Sequence, residues 1–474
     1  MMSSLRARWT RKLLLALAKR SSLEDLLTRS QRDAMAAVKF AGQTSKAYRT
    51  LLDEHRLDLS ARQLRFTDLP VLTKLNTFHR FSLAELSRPI PAKQLADVLT
   101  SSGRGGPDFG FRLTTRAQFD AASFAIDLGL QDAFHVDQQP TLLVNCLPMG
   151  VVFSSKAVTV ANLSVREDMA CAILRNVGPK FAQTLLCTDP MFIRPLLDHA
   201  SRVGVDWRAL NTSVIMGEEI LAESQRDYIA ARMGINLRGN EQRAIISSFG
   251  VGELGLNLLF ESRETIQMRR AIRTDTQVAQ LLRGDAESTS LPSIFCFNPL
   301  RCYLEVLNPD AHGFGELCFT MLGRDAVIPL PRYTTGDLGK LLTTDETATL
   351  AKRAGTAVPW LPMVSVRGRI KDRPAGQPSV EDIKELIYTD PQIADQLTGA
   401  FKLKTGARGG CMVLLQSAET SVAGGQRLAE RLRALAKSYS AGPIDFAVLP
   451  PADFPDRPRL DYERKFNYLT VSGG

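Results

Sequence analysis

Apolar positions recur at helical spacing from about residue 5 to residue 54, which predicts consecutive helices. Ser21 and Ser22 supply an N-cap candidate there, and Glu24 and Asp25 follow where acids suit a helix N-terminus. From residue 95 to about 267 the pattern changes. Helical runs alternate with short apolar segments at 141–145, 184–186, 213–216 and 244–246. That alternation predicts an α/β layer with largely parallel strands. Between residues 294 and 342 short β-type runs follow one another, with the turn formers Asn308, Pro309, Asp310, Gly313 and Gly315 among them. A break rich in Pro and Gly at 372–378 is the best linker candidate. Beyond it, a helix at 380–388, a strand at 412–415 and a helix at 424–437 predict a small α+β unit. The expected fold class is α/β. A large N-terminal domain (1–368) has mixed sheets, flanking helices and a β subdomain at about 294–342, and a small α+β domain (369–474) follows.

At 474 residues the chain exceeds one core and divides into two or three domains. Its 59 basic and 50 acidic residues give a net charge of +9, which suits a polyanionic ligand. The basic residues are scattered, with no long run and no interleaved aromatics. A small anion is therefore the better match, and no nucleic-acid partner is expected. Seven dispersed cysteines (Cys146, Cys171, Cys187, Cys296, Cys302, Cys318, Cys411) point to a reducing compartment and buried free thiols. Cys296, Cys302, His312 and Cys318 lie close together but lack the spacing of a zinc knuckle, so no zinc site is expected. The five histidines are scattered and no G-x-S-x-G elbow occurs, which argues against a Ser or Cys nucleophile. The apolar run at 13–18 is shorter than a signal-peptide core, and no run is long enough to span a bilayer. An amphipathic helix packed on the body is expected, with a peripheral membrane contact as the minority alternative, and the location expected is cytoplasmic.

Several polar segments stand out against this frame. Thr100-Ser101-Ser102-Gly103-Arg104-Gly105-Gly106 is a Ser/Gly-rich loop whose backbone N–H groups and hydroxyls suit a phosphate. It is not a Walker A loop, because no G-K-[ST] follows. Met216-Gly217-Glu218-Glu219-Ile220 reads as a strand end followed by acids. Ser247-Ser248-Phe249-Gly250-Val251-Gly252-Glu253 reads as a Gly-rich turn after the apolar 244–246. Arg332-Tyr333-Thr334-Thr335-Gly336-Asp337 puts a carboxylate on a Gly-containing turn, able to accept two ribose hydroxyls. Arg367-Gly368-Arg369-Ile370-Lys371-Asp372 sets basic residues just before the linker, where they suit phosphates or a hinge.

In this order the segments resemble the adenylate-forming superfamily, and within it the phenylacetate–CoA ligase-like branch. The likeness runs from about residue 30 to 470, with 45–49 and 69–74 as lead-in segments. The family's phosphate loop usually reads S-S-G-[ST]-[ST]-G-K-P. Here Arg104 and Gly105 stand where the second hydroxyl pair is usual, and Pro107 stands where the Lys is usual. The resemblance implies that Ser101, Ser102, Gly103, Gly105 and Gly106 cradle phosphates, with Arg104 supplying the missing charge. It places Phe249 against adenine, flanked by Ser248 and Gly250, and makes Glu253 the Mg²⁺ ligand, although Gly252 replaces the usual hydroxyl residue. Gly217 and Glu218 flank the nucleotide. Asp337 holds the ribose, and Arg332 and Tyr333 line the same strand end. Arg369 matches the Gly-Arg hinge motif, and Lys371 is the pivot of a mobile small domain. Lys465, preferred over Arg464, reaches the substrate carboxylate and the α-phosphate.

The implied activity is that of an acid–thiol ligase. ATP and Mg²⁺ activate a carboxylic acid to an acyl-adenylate, which is then transferred to CoA. Delivery to a carrier-protein thiol or an amine is the rival enzymatic reading. A degenerate relative that binds nucleotide or an acyl group without turnover is the other. A homodimer is compatible with any of them.

Overall fold

Ser22 separates the first two helices, Met2–Arg20 and Leu23–Thr44, and its side chain accepts the Asp25 N–H at 3.1 Å. Ser45 does the same for Lys46–Glu54. These caps satisfy backbone donors that a helix start leaves unpaired. The computed structural model describes residues 2–101, 109–237, 242–283, 291–373, 377–405, 410–418, 424–437, 444–455 and 460–469.

Strands β1 (Leu95–Thr100) and β2 (Phe111–Thr115) form an antiparallel hairpin around the Ser/Gly-rich loop. Next in the chain come β3 (Thr141–Asn145), β4 (Thr159–Asn162), β5 (Gln183–Thr188), β6 (Thr212–Met216), β7 (Ile245–Val251) and β8 (Gly255–Phe260). They are followed by β9 (Ser293–Phe297), β10 (Cys302–Leu307), β11 (Gly315–Met321), β12 (Tyr333–Leu341) and β13 (Met363–Arg369). β3 to β13 make one sheet of eleven strands in the order β10-β11-β12-β13-β9-β8-β7-β6-β5-β3-β4. The half from β4 to β7 is parallel, and its central strands are buried on both faces, as apolar runs between helices require. From β7 to β10 every neighbour is antiparallel.

β7 is the joint. Ile245, Ile246 and Ser247 pair with β6 in parallel, whereas Ser248, Phe249 and Val251 pair with β8 antiparallel. The β-rich stretch expected as a subdomain therefore continues the main sheet, because the β7–β8 hairpin hands the ladder over without a break. Ser248, Phe249 and Gly250, expected on a turn, lie inside β7. The turn comes after Val251.

The C-terminal unit has the sheet β14 (Leu397–Thr405), β15 (Cys411–Ser417) and β16 (Ile444–Leu449), with β14–β15 antiparallel and β15–β16 parallel. Its helix Val380–Thr389 starts from a Ser379/Asp382 capping box and is buried against the helix Glu223–Met233. One apolar cluster runs from Leu186 and Val214 of the parallel sheet through Ile383 and Ile387 to Val413 and Phe446. No helix among the described residues is long and apolar enough to cross a membrane.

Candidate active site

The parallel strands deliver their C-terminal ends, at Asn145, Thr188, Met216 and Ser247, to one edge. Open α/β sheets place ligand crevices at that edge. A cavity of about 430 Å³ opens there. Its inner part is apolar, walled by Ile126, Leu130 and Phe134 of the helix Arg116–Phe134 together with Leu143, Val151 and Phe153. Its outer part is polar. Gly217, Glu218, Ser248, Gly250, Glu253, Tyr333, Arg369, Lys371 and Lys465 all border it. A smaller cleft adjoins it, bordered by Phe249, Phe295, Asp337, Arg369 and Glu381. The folded chain thus gathers residues from many sequence-distant segments around these two clefts.

Near the end of β1, Ser101 ties the base of the Ser/Gly-rich segment to Gly110. Its backbone N–H donates to the Gly110 carbonyl at 2.9 Å, and its hydroxyl accepts the Gly110 N–H at 2.9 Å. Lys74 Nζ reaches the same hydroxyl at 2.7 Å and lies 3.3 Å from Glu253 Oε1. Glu253 is buried and also accepts from the Tyr333 hydroxyl at 3.4 Å. Burial pushes the Tyr333 phenol upward, with the Glu253 carboxylate adding to the rise, so Tyr333 stays a donor. Two glycines fit tight approaches here. A Cβ on Gly110 would sit 2.3 Å from Glu253 Oε1, and one on Gly252 would sit 2.9 Å from the Thr100 carbonyl oxygen. The missing hydroxyl at Gly252 is thus explained by the closeness of the β7–β8 turn to the loop base. Ser102, Gly103, Arg104, Gly105 and Gly106 lie outside the described residues.

Beside the smaller cleft, Asp337 sits in a bulge of β12 rather than on a free turn. Glu316 pairs with Leu338 and Cys318 with Thr334, so two steps along β11 face four along β12. Gly336, at φ +78°, takes up the extra length in a conformation that side chains rarely adopt. Its N–H donates to Glu316 Oε1 at 3.1 Å. The bulge turns the Asp337 carboxylate toward the Thr335 hydroxyl and to within 3.6 Å of Arg369 Nε. Phe249 is half-buried, stacked 6.1 Å from Phe319 at an interplanar angle of 14°. Arg332 departs from expectation. It is buried away from the crevice, bonding Glu305 at 3.1 Å, the Thr67 carbonyl at 3.1 Å and the Leu69 carbonyl. It ties β12 to the lead-in segment instead of lining the site.

Lys465 arrives from the C-terminal unit and pairs with Glu218 at 2.8 Å, both side chains being 12% exposed. Arg464 points outward and pairs with Asp461. Glu218 holds φ +70°, which aims its carboxylate into the crevice from the end of β6. Beneath it lies Asp189, whose Oδ1 accepts the Met191 and Phe192 N–H groups while Oδ2 has no hydrogen-bond partner among the described residues. Burial pushes this carboxyl up to about 7, Glu219 and Glu218 add to the rise, and the two N–H bonds oppose it. Glu381 is likewise raised to about 7 by burial, offset in part by Lys384 and Arg373.

Sequence reasoning gave no role to Lys74, Glu316, Asp189 or Glu381. Lys74 stood in a quoted lead-in segment, but its partners lie 27 and 179 positions away and leave no local signal. Cys296, Cys302 and Cys318 are buried thiols. Among the described residues no group of three or more His, Cys, Asp or Glu side chains could hold a metal ion.

No family model and no curated protein matches the sequence. Solved structures do match. The chain is similar to 2-hydroxyisobutyryl-CoA ligase in the postadenylation state in complex with 2-HIB-AMP. The identity is 13%, over 95% of this chain and 90% of that one, with a TM-score of 0.67. The likeness is one of fold. The same ligase with 2-HIB-AMP and CoA in its thioesterification state matches at 13% identity over the same shares of both chains, with a TM-score of 0.54. A structure from work on fatty acyl-adenylate ligases of E. coli and L. pneumophila matches at 15% identity, over 78% and 68% of the two chains, with a TM-score of 0.50.

Proposed function

We propose that this chain is an ATP-dependent acid–thiol ligase of the phenylacetate–CoA ligase-like type, acting on an apolar carboxylic acid. The observation that carries the reading is the pair of adjoining clefts: Lys465–Glu218 and Lys74–Glu253–Tyr333 border the apolar chamber, and Asp337–Arg369 border the smaller cleft beside it. The acid's apolar body enters between the apolar side chains of Ile126, Leu130, Phe134 and Phe153. Its carboxylate meets the Lys465 ammonium, displacing Glu218. One carboxylate oxygen attacks the α-phosphorus of ATP and pyrophosphate leaves, giving the acyl-adenylate. Lys465 stabilises the charge that spreads over the phosphoryl oxygens in that step. Asp337 accepts the ribose hydroxyls, Phe249 lies along the base, and Lys74 with the loop after Ser101 receives the β- and γ-phosphates. In the second step the CoA thiol attacks the acyl carbonyl and AMP departs, a far better leaving group than the original oxygen.

Glu253 fits Mg²⁺. It is a buried, hard oxygen donor facing the loop base, and one carboxylate plus phosphates is the usual protein share of such a site. When bound, the ion supplies charge neutralisation on the polyphosphate. Lys74 and Tyr333 keep the Glu253 carboxylate oriented. The domains proposed are 1–368 and 369–474, with Lys371 as pivot.

The test is pyrophosphate release over a panel of carboxylic acids, with and without CoA. Release with apolar aryl or alkyl acids, and a thioester once CoA is added, is the expected result. Release without CoA consumption would move the acceptor to a carrier-protein thiol or an amine. No release with any acid would leave a nucleotide-binding relative.

A further inference from the structure

The first helix, Met2–Arg20, rests on the helix Arg116–Phe134 by one face only. That face is held by charge. Arg11 is 2% exposed, its Nε bonds Asp137 at 3.0 Å, and its guanidinium lies 3.7 Å from Asp127. Lys19 adds a 2.7 Å pair with Asp132. Half a turn round the helix, Trp9, Leu13 and Leu17 stand 68%, 59% and 52% exposed. Their i, i+4, i+8 spacing makes them one straight stripe on the side opposite Arg11. Arg6 and Arg20 fall on the same outward side, one beyond each end of the stripe, and both are exposed. Lys12 flanks it, with its ammonium 5.4 Å from the Trp9 ring. The helix holds six Lys and Arg residues and no Asp or Glu.

We propose that this face is a docking surface for an anionic phospholipid bilayer. Charge decides the occupant. A stripe of large apolar side chains bracketed by cations, on a helix without acids, complements a surface that is apolar below and negative above. Trp9 suits the headgroup boundary, and Arg6 and Arg20 are long enough to keep their charges among the headgroups while the leucines sink. The helix lies on such a surface and does not cross it, for its other face is committed to Asp127, Asp132 and Asp137. The helix beneath it supplies Ile126, Leu130 and Phe134 to the apolar chamber, so docking would set the chamber wall next to the lipid. This inference does not depend on the ligase reading.

The experiment is co-sedimentation of the full chain with neutral phosphatidylcholine vesicles and with vesicles containing about one-third phosphatidylglycerol. Binding to the anionic vesicles should exceed binding to the neutral ones by about tenfold or more, and should fall away at about 0.5 M salt. Trp9→Ser, Leu13→Ser and Leu17→Ser combined should cut anionic binding by about tenfold or more, with an unchanged thermal melt. Replacing Arg6, Lys12 and Arg20 by Gln should abolish the preference for anionic vesicles. Equal binding to both vesicle types, absence of binding, or wild-type binding by the triple Ser variant would overturn the proposal. So would vesicle-free self-association that the triple Ser variant abolishes, which would assign the face to a second copy of the chain.

Discussion

Lys74 faces a hydroxyl and a carboxylate at once, at 2.7 Å from Ser101 and 3.3 Å from Glu253, just where the described loop ends. Pro107 stands where the resemblance expects a lysine, and Lys74, from a different segment, borders that end of the crevice. Lys74→Met should lower the rate of pyrophosphate formation by about 10²–10³-fold, the scale of losing one charged stabiliser, while the KM for the acid changes little. Lys74→Arg should recover part of the rate. Steady-state kinetics on both variants checks this, and an unchanged Lys74→Met rate would leave the residue with a merely structural tie to Glu253. Asp189 offers a second residue-scale test. Its folded value of about 7 lies above the ordinary 3.8, so between those limits the folded protein keeps a proton that the unfolded chain releases. This contribution to stability is complete below about pH 4 and is lost as pH rises toward 7. Asp189→Asn should therefore gain on the wild type over that window, by on the order of a few kcal/mol, and the gain should level off above pH 7. Urea denaturation of both proteins across pH measures the difference curve, and a flat curve would refute the assignment.

Among elements, β7 is held in place by a buried ion cluster. Arg226 is fully buried, bonds Glu261 at 2.8 Å and Glu223 at 2.9 Å, and also donates to the Ile245 carbonyl at the start of β7. Glu261 in turn accepts the Ser247 N–H at 2.7 Å. Burial would raise the Glu223 carboxyl, but Arg226, Arg269 and Arg270 outweigh it and hold it at about 2. Glu223 therefore stabilises the fold above its unfolded pKa, and that share is lost only as pH falls toward 2. Arg226→Met removes the buried cation that bridges Glu223 and Glu261, leaving them to Arg269 and Arg270, and should cost up to about 3–5 kcal/mol. The readout is the denaturation midpoint, with the KM values of the surviving folded fraction nearly unchanged. A midpoint within error of the wild type would show that the cluster does not hold β7.

At the scale of the molecule, the C-terminal unit is pinned to the body by polar bonds around the crevice. Lys384 meets Glu219 at 2.6 Å, Glu385 accepts the Glu223 and Ser224 N–H groups at 2.7 and 2.9 Å, and Glu463 accepts from Met149 N–H and the Ser164 hydroxyl. Rotation about Lys371, which sits in the short helix Ile370–Asp372 after β13, would break these together and withdraw Lys465. Such hinges absorb the motion in a few backbone angles at element ends. Lys465→Ala should abolish adenylate formation yet still transfer the acyl group from supplied acyl-adenylate. Lys371→Pro should adenylate yet fail to transfer, because a fixed φ blocks the second arrangement. Single-turnover assays of each half-reaction test the pair, and equal loss of both steps in both variants would rule out alternation.

The sequence by itself determined the parallel strands, the helices and the small α+β unit, since apolar alternation and cap residues such as Ser22 and Ser379 act within a few positions. Asp337, Glu218 and Lys465 became candidates through the resemblance of their segments to a known family, not through the apolar pattern. Only the tertiary structure decided that the β-rich stretch extends the main sheet, because strand neighbours such as β13 and β9 are chosen by packing across tens of residues. It alone set Asp337 in a bulge, withdrew Arg332 into the lead-in segment and brought Lys74 to Glu253. Each of these outcomes rests on partners distant in the chain, and pairing of that kind is fixed by burial and geometry, which no local pattern of residues encodes.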